Sequence, residues 1–308
     1  MGLCCGFQTG LSELFKTGAR KETAGMTHII TELSRRYPQL LLPIGKGIRD
    51  SEEYQNAVLR GKPITGMPEF SYSPLDRLSL EQTPAGAVEV LYLADRNDFE
   101  HALRALAYRC EAVAILPSVG ASTVRGLINW EKIRSHQQEY LAGGGKNWSE
   151  EFRRFTAERR NYQDTLILLS GGEYSAVSAE ELNLEGEAWR AKSLCIRKYH
   201  ELSHFVCRML FPEDIDTIRD EILADFIGIV AASQHYDPAL ARRFLGIQTD
   251  GVRADGRLRH YVEEHELAAA CEEAERRINE YEKRTKNHAG LDVFSLLIRL
   301  MRVQSADD

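Results

Sequence analysis

Ile196-Arg197-Lys198-Tyr199-His200-Glu201-Leu202-Ser203-His204-Phe205-Val206 is the stretch from which the rest of the chain is read, together with Glu221-Ile222-Leu223-Ala224-Asp225 downstream. His200 and His204 stand four residues apart, so on a helix they project from one face with Cβ atoms about 5–6 Å apart. Two imidazoles so placed close on a single metal ion, and Glu201 between them reaches a water at that ion. A third ligand has to come from elsewhere. Glu221 is the candidate, and Asp225, four residues on, faces the same way if that run is helical. One carboxylate then ligates the ion while the other accepts the far N–H of a ligand histidine, His200 in the first instance. The bland alternative, two histidines on an ordinary amphipathic helix, stays open here. His265-Glu266-Leu267-Ala268-Ala269 starts like the motif but lacks its second histidine, and reads as structural.

The periodicity around the motif predicts a helix from Gly186 or Glu187 to Leu210. Its core face is Leu194, Tyr199, Leu202, Phe205, Val206, Met209 and Leu210. It stops near Phe211-Pro212, because the residue before a proline is disfavoured in helical geometry. Pro212-Glu213-Asp214 then opens a second helix, to about residue 233, with proline and acids in its first turn. Ala224, Gly228 and Ala231 or Ala232 form a seam of small residues on the Glu221 and Asp225 face. Small side chains allow close helix approach, which would carry Glu221 toward the histidines.

Upstream, residues 1–25 read as a weakly ordered tail, 26–148 as an N-terminal α/β region and 149–308 as a mostly helical region. Ala87–Leu93 and Ala112–Leu116 are expected strands, with a helix from about Asp98 to Cys110 between them and another within Pro117–Leu141. Thr165–Leu169, Ser170-Gly171-Gly172 and Tyr174–Val177 read as a hairpin just before the histidine helix. Gly143-Gly144-Gly145-Lys146 is not a phosphate loop: Tyr140 stands where the leading glycine is needed, and Asn147 where a Ser or Thr is. A charged helix from about Leu258 to Arg284 and an amphipathic one over 291–303 close the chain.

Composition narrows the partners. The 308 residues carry a formal charge of -7 with no dense Lys/Arg block, which argues against nucleic acid or an anionic membrane surface. No run approaches the ~20 apolar residues of a membrane span. The N-terminus lacks the basic and apolar regions of a secretory signal, and Gly6 stands where myristoylation wants Ser or Thr. Six cysteines without a CxxC pair are expected to be reduced thiols, in keeping with a soluble cytoplasmic protein.

His200, His204 and Glu221 make a His₂Glu ligand set that leaves zinc a position for water, lowering that water's pKa to about 7. Glu201 is then the general base as the activated water attacks an amide carbonyl. His₂Glu with Glu-x-x-Ala-Asp downstream resembles the gluzincin zinc metallopeptidases, and in particular the compact minigluzincins, over roughly residues 165–235. The sixteen residues between His204 and Glu221 are fewer than in thermolysin-like enzymes, so the connection between the two helices is tight. The resemblance implies an α+β, zincin-like catalytic domain of edge hairpin, HExxH helix and Glu helix. It also implies a zinc-dependent hydrolase acting on a peptide or protein, its edge strand holding the substrate backbone. Such sites usually carry an oxyanion-stabilising Tyr, His or Arg, for which Arg257, His260 and Tyr261 are the candidates, His260 and Tyr261 as catalytic residues. Two other readings remain: a zinc-binding regulatory or interaction protein without turnover, and a structural protein without metal.

Overall fold

The computed structural model describes residues 28–66, 69–213, 216–285 and 292–307. The tail expected over 1–25, with Cys4 and Cys5, lies outside the described residues. Four strands form the main sheet: β1 (Arg77–Thr83), β2 (Gly86–Leu93), β3 (Ala121–Ile128) and β4 (Gln163–Ser170). Their order is β1-β2-β4-β3. β1 and β2 are an antiparallel hairpin, β2 and β4 are parallel, and β3 closes the far edge antiparallel to β4. Residues 148 and 149, where a change of region was expected, fall between strands that share this one sheet.

Each face of the sheet has its own core. Leu91, Leu93, Leu166 and Leu168 point toward α1 (Ile29–Arg36) and α2 (Arg96–Leu106), packing with Ile30, Leu33, Phe99 and Leu103. Val88, Val90, Tyr92, Ile167 and Leu169 point the other way, onto the long helices α5 (Gly186–Leu210) and α6 (Thr217–Ser233). The fold therefore mixes helices and sheet, in keeping with the expected α+β class. On the first side lie also α3 (Trp130–Ala142) and α4 (Trp148–Thr156), capped by the Asn129 and Asn147 side chains. On the second, α7 (Pro238–Leu245), α8 (Leu267–Thr285) and α9 (Val293–Asp307) complete the larger core.

The helix expected from Leu258 begins only at Leu267, after two 3₁₀ turns, and three expectations of the sheet and the histidine helix need correcting. The hairpin over 165–177 is not one, and its first strand is not an edge. β4 lies between β2 and β3, and Leu166-Ile167-Leu168-Leu169 are all fully buried. An unbroken apolar run marks a strand covered on both faces, whereas an edge strand with one wet face alternates. Tyr174–Ala176 is a 3₁₀ turn, with Ser175 and Ala176 both left-handed at φ 52 and 57. Second, Ala112–Leu116 pairs with no described strand. Arg104 and Arg96 side chains take the Val113 and Leu116 carbonyls at 2.8 and 3.1 Å instead. The strand lies further on, at Ala121–Ile128, where the left-handed Gly126 (φ 74) breaks the alternation with a register slip between Arg125 and Leu127. Third, Met209 and Leu210 are exposed, because they occupy the last turn of α5 rather than its packed middle.

Two devices fix α5 where the site needs it. Lys198 forms a buried ion pair with Glu81 of β1 at 2.8 Å, tying the helix to the sheet. Gly228 of α6 meets Ile196 of α5 so closely that a Cβ there would lie 2.8 Å from the Ile196 carbonyl oxygen. Any larger residue would force the two helices apart.

Candidate metal centre

That close crossing sets two turns of α5 against two turns of α6, and the donor atoms meet between them. His200 Nε2 and His204 Nε2 lie 2.9 Å apart. Glu221 Oε2 is 3.5 Å from the first and Glu221 Oε1 is 3.4 Å from the second. Zinc with donors at 2.0–2.1 Å in tetrahedral array would space them about 3.3–3.4 Å apart. The three side chains fit such an ion with adjustments of a few tenths of an ångström. Among the described residues these three are the one group of His, Cys, Asp and Glu side chains gathered closely enough to share a metal.

The histidines' other nitrogens are also specified. His204 Nδ1 donates to Asp220 Oδ2 at 2.7 Å. His200 Nδ1 is shared between Asp225 Oδ1 at 3.0 Å and the Tyr174 hydroxyl oxygen at 2.9 Å. With both Nδ1 atoms donating, both Nε2 atoms turn a lone pair toward the same point, as metal ligation requires. Without a cation these lone pairs would oppose each other at 2.9 Å, so at least one ring must hold a second proton. Burial disfavours charge on both rings, yet the hydrogen bonds and charge of the neighbouring carboxylates outweigh it. His200 is raised above the usual imidazole range and His204 is pushed up to about 10. Burial pulls Glu221 the opposite way, but the two imidazoles prevail and hold its carboxyl far below the ordinary range.

Charge balance points the same way. Asp220, Glu221, Asp225 and the buried Glu201 bring four carboxylates to this region, and Arg257 brings one positive charge. A divalent cation offsets two of the remaining three charges while leaving both imidazoles neutral.

Arg257 and Tyr174 form a clamp behind Asp225. Tyr174 donates to Asp225 Oδ1 at 2.6 Å, and Arg257 Nη2 donates to Asp225 Oδ2. Arg257 Nη1 spans back to the Tyr174 hydroxyl at 3.0 Å and Ser175 Oγ at 2.9 Å. Tyr174 is carried by the left-handed turn after β4, which Arg197 of α5 holds through the carbonyls of Ser170, Gly172 and Glu173. Burial opposes the ionised form of Asp225, and Arg257 with its other donors more than compensates, lowering its pKa.

Glu201 is buried on α5 and accepts a 2.6 Å hydrogen bond on Oε2 from Thr123 Oγ1 of β3. Oε1 makes no such bond to a described residue. The edge strand beside the histidine helix is thus β3 and not the segment over 165–177. Tyr261 donates to Glu221 Oε2 at 2.8 Å, so it touches the ligand cluster through Glu221. His260, expected beside the site, is exposed and makes no hydrogen bond or ion pair with the cluster among the described residues. It lies on a 3₁₀ turn over Arg257–His260 whose Leu258 is fully buried, and two residues on from that anchor it faces solvent.

A family model matches residues 16–285 of the chain. The chain belongs to a family of unknown function, DUF7005. No curated protein and no solved structure matches it.

Sequence reasoning missed Asp220, Tyr174 and Thr123, and offered Arg257 for an oxyanion whereas its guanidinium is engaged by Asp225. Asp220 had a signal: it immediately precedes Glu221, so a helix bringing Glu221 to the ion also brings its neighbour to the flank of the second histidine. Tyr174 and Thr123 had none, because the sheet order that delivers them depends on long-range pairing.

Proposed function

We propose that the protein is a zinc-dependent hydrolase of amide bonds, similar to the gluzincin metallopeptidases and with a zincin-like arrangement of edge strand, HExxH helix and Glu helix. The observation that carries this reading is the pair of histidines with Nε2 atoms and Glu221 converging at 2.9–3.5 Å while Asp220 and Asp225 hold the opposite nitrogens. Bound zinc supplies Lewis acidity, polarising a carbonyl and making water acidic enough to react at neutral pH. His200, His204 and Glu221 hold the ion; Asp220 and Asp225 fix the tautomers. Glu201 accepts the proton of the attacking water and hands it to the leaving nitrogen. Thr123 occupies one oxygen of Glu201 and orients the other for that transfer. β3, with its outer edge unpaired among the described strands, offers backbone N–H and C=O groups to a substrate chain.

Burial favours a second reading, a zinc-binding regulatory protein without turnover, since His200, His204 and Glu201 are each less than a tenth exposed. Metal content and turnover separate the two. Wild-type protein should contain about one zinc per chain and His200→Ala little. Glu201→Gln should keep the metal and the melting temperature while losing at least ~100-fold in cleavage of peptides from a broad library at neutral pH. Equal, low zinc content in wild type and His200→Ala refutes the metal site. Equal cleavage by Glu201→Gln refutes the mechanism, and zinc without any cleavage favours the regulatory reading.

A further inference from the structure

β3 and α5 run side by side in a defined direction. Gly120, just before β3, lies against Arg197, whose Nε would be 2.4 Å from a Cβ at that position. Thr123, three residues on, bonds Glu201, four residues on along the helix. Strand and helix therefore advance together. Beyond this contact the strand presents Arg125 on the face of Thr123, since side chains two apart share a face, roughly 6.5–7 Å further along. Val124 between them points into the opposite core. The helix presents Arg208, seven residues from Glu201, two turns or about 10.5 Å away on the same face.

These two guanidiniums differ from the others around the site. Arg197 is bound to three carbonyls and Arg257 to Asp225. Arg125 is exposed and Arg208 half-buried, and neither makes a hydrogen bond or ion pair with a described residue. Gly126, immediately after Arg125, forms the one bulge in the register of the described sheet. A bulge with a left-handed glycine bends and twists its strand and re-aims the adjacent side chain.

We infer that the substrate carries a carboxylate received by Arg125 and Arg208, about two residues along from the bond that lies beside Glu201. The inference rests on the peptidase reading. A peptide added along β3 advances about 3.3 Å per residue, so the group facing Arg125 is two residues from the one facing Thr123. A planar guanidinium pairs a carboxylate through two parallel N–H donors, and two such forks on opposite walls enclose one. An Asp or Glu side chain and the peptide's own C-terminal carboxylate present the same chemistry here.

Zinc-loaded Glu201→Gln protein is titrated with alanine-based hexapeptides bearing an uncharged dye, and binding is read by fluorescence anisotropy. One series is amidated and carries Glu, or Gln as its isostere, at each position in turn; a second is neutral with a free C-terminus. A carboxylate at one position is expected to tighten binding about 10-fold over its neutral counterpart. Arg125→Gln and Arg208→Gln should each remove roughly 3-fold, as rim charges do, and more at low salt. Arg125→Glu combined with Arg208→Glu should turn the preference toward Lys peptides. A preference for internal Glu assigns a side chain, and one for the free C-terminus alone assigns the terminal carboxylate. Equal binding of charged and neutral peptides, or a preference that survives the double reversal, overturns the inference and leaves the peptidase reading intact. Failure of every peptide to bind the zinc-loaded protein overturns both.

Discussion

Asp225 and Asp220 each hold a histidine of the candidate metal centre, but the structure predicts very different consequences for removing their charge. Asp220→Asn keeps an oxygen for the His204 Nδ1 proton. The loss is confined to one charge-assisted hydrogen bond at 2.7 Å. Weaker zinc binding by about 10-fold, the lower end for an outer partner of a ligand, is expected, with little change in melting temperature. Asp225→Asn is worse placed. Its carboxylate accepts from Tyr174, His200 and Arg257 at once, and the residue is 1% exposed. An amide keeps one acceptor oxygen, for Tyr174 and His200, and must aim its NH₂ at the Arg257 guanidinium. Two donors then face each other, and the partly buried Arg257 guanidinium loses the one carboxylate it pairs with among the described residues. Breaking a buried ion pair from one side costs about 3–5 kcal/mol. At about 2–4 °C per kcal/mol for a large domain, the melting temperature should fall by roughly 6–20 °C. Zinc affinity should fall about 100-fold, through the freed His200 ring. Chelator competition gives the affinities, and thermal melts with and without zinc give the stabilities. If Asp225→Asn and Asp220→Asn melt alike, the Arg257 clamp does not carry the stability assigned to it, and the account of Asp225 as the hub of this network is wrong.

Other consequences are as direct. Gly228→Ala gains about 1 kcal/mol of helix propensity but sets a Cβ 2.8 Å from the Ile196 carbonyl; a net loss of about 1–3 kcal/mol and weaker zinc retention are expected, and an unchanged denaturation midpoint would show the helices have room to spare. Tyr261→Phe removes the one hydroxyl donor on Glu221 and should weaken zinc binding several-fold without altering the fold, measurable by the same chelator competition. In metal-free protein the His204 pKa, raised to about 10 from an unfolded value near 6.5, makes protonation stabilising below about pH 6.5 and less so as pH rises toward 10. Zinc has to displace those same protons, so its affinity should rise over that window. Urea midpoints from pH 6 to 9 should therefore fall in chelator and hold or rise with zinc, and parallel curves would refute the linkage.

Much of this fold was legible where the signal is local. The histidine helix follows from periodicity and from the stop at Pro212, whereas the helix expected to open at Pro212 begins only at Thr217, capped by Asp216. The β2 strand follows from alternation, and the helix after it from its apolar face, although it runs from Arg96 to Leu106 with Asp95 as its cap. What was not legible is the order of strands. Leu166–Leu169 reads as apolar, and nothing local says whether one face or two will be covered. The decision rests with β3, whose pattern is broken by Gly126 and whose partner lies some forty residues away. A strand hidden by its own bulge led to β4 being placed at the edge that β3 occupies.

The same division runs through the site. His200, Glu201 and His204 are specified by spacing on one helix, and Glu221 and Asp225 by spacing on another, so the rule of three and four suffices for them. Gly228 then does for the pair of helices what no spacing rule can. By letting α6 touch the Ile196 backbone, it converts two separate stripes into one cluster with donor atoms 2.9–3.5 Å apart. The residues that only three-dimensional pairing supplies, Thr123 from β3 and Tyr174 from the turn after β4, touch Glu201 and Asp225 rather than the ion position itself. Helix spacing thus sets which atoms can ligate, while the sheet sets how rigidly those atoms are held. Substitutions along the helices should therefore change whether zinc binds, and those at Thr123 and Tyr174 how well the bound site is ordered.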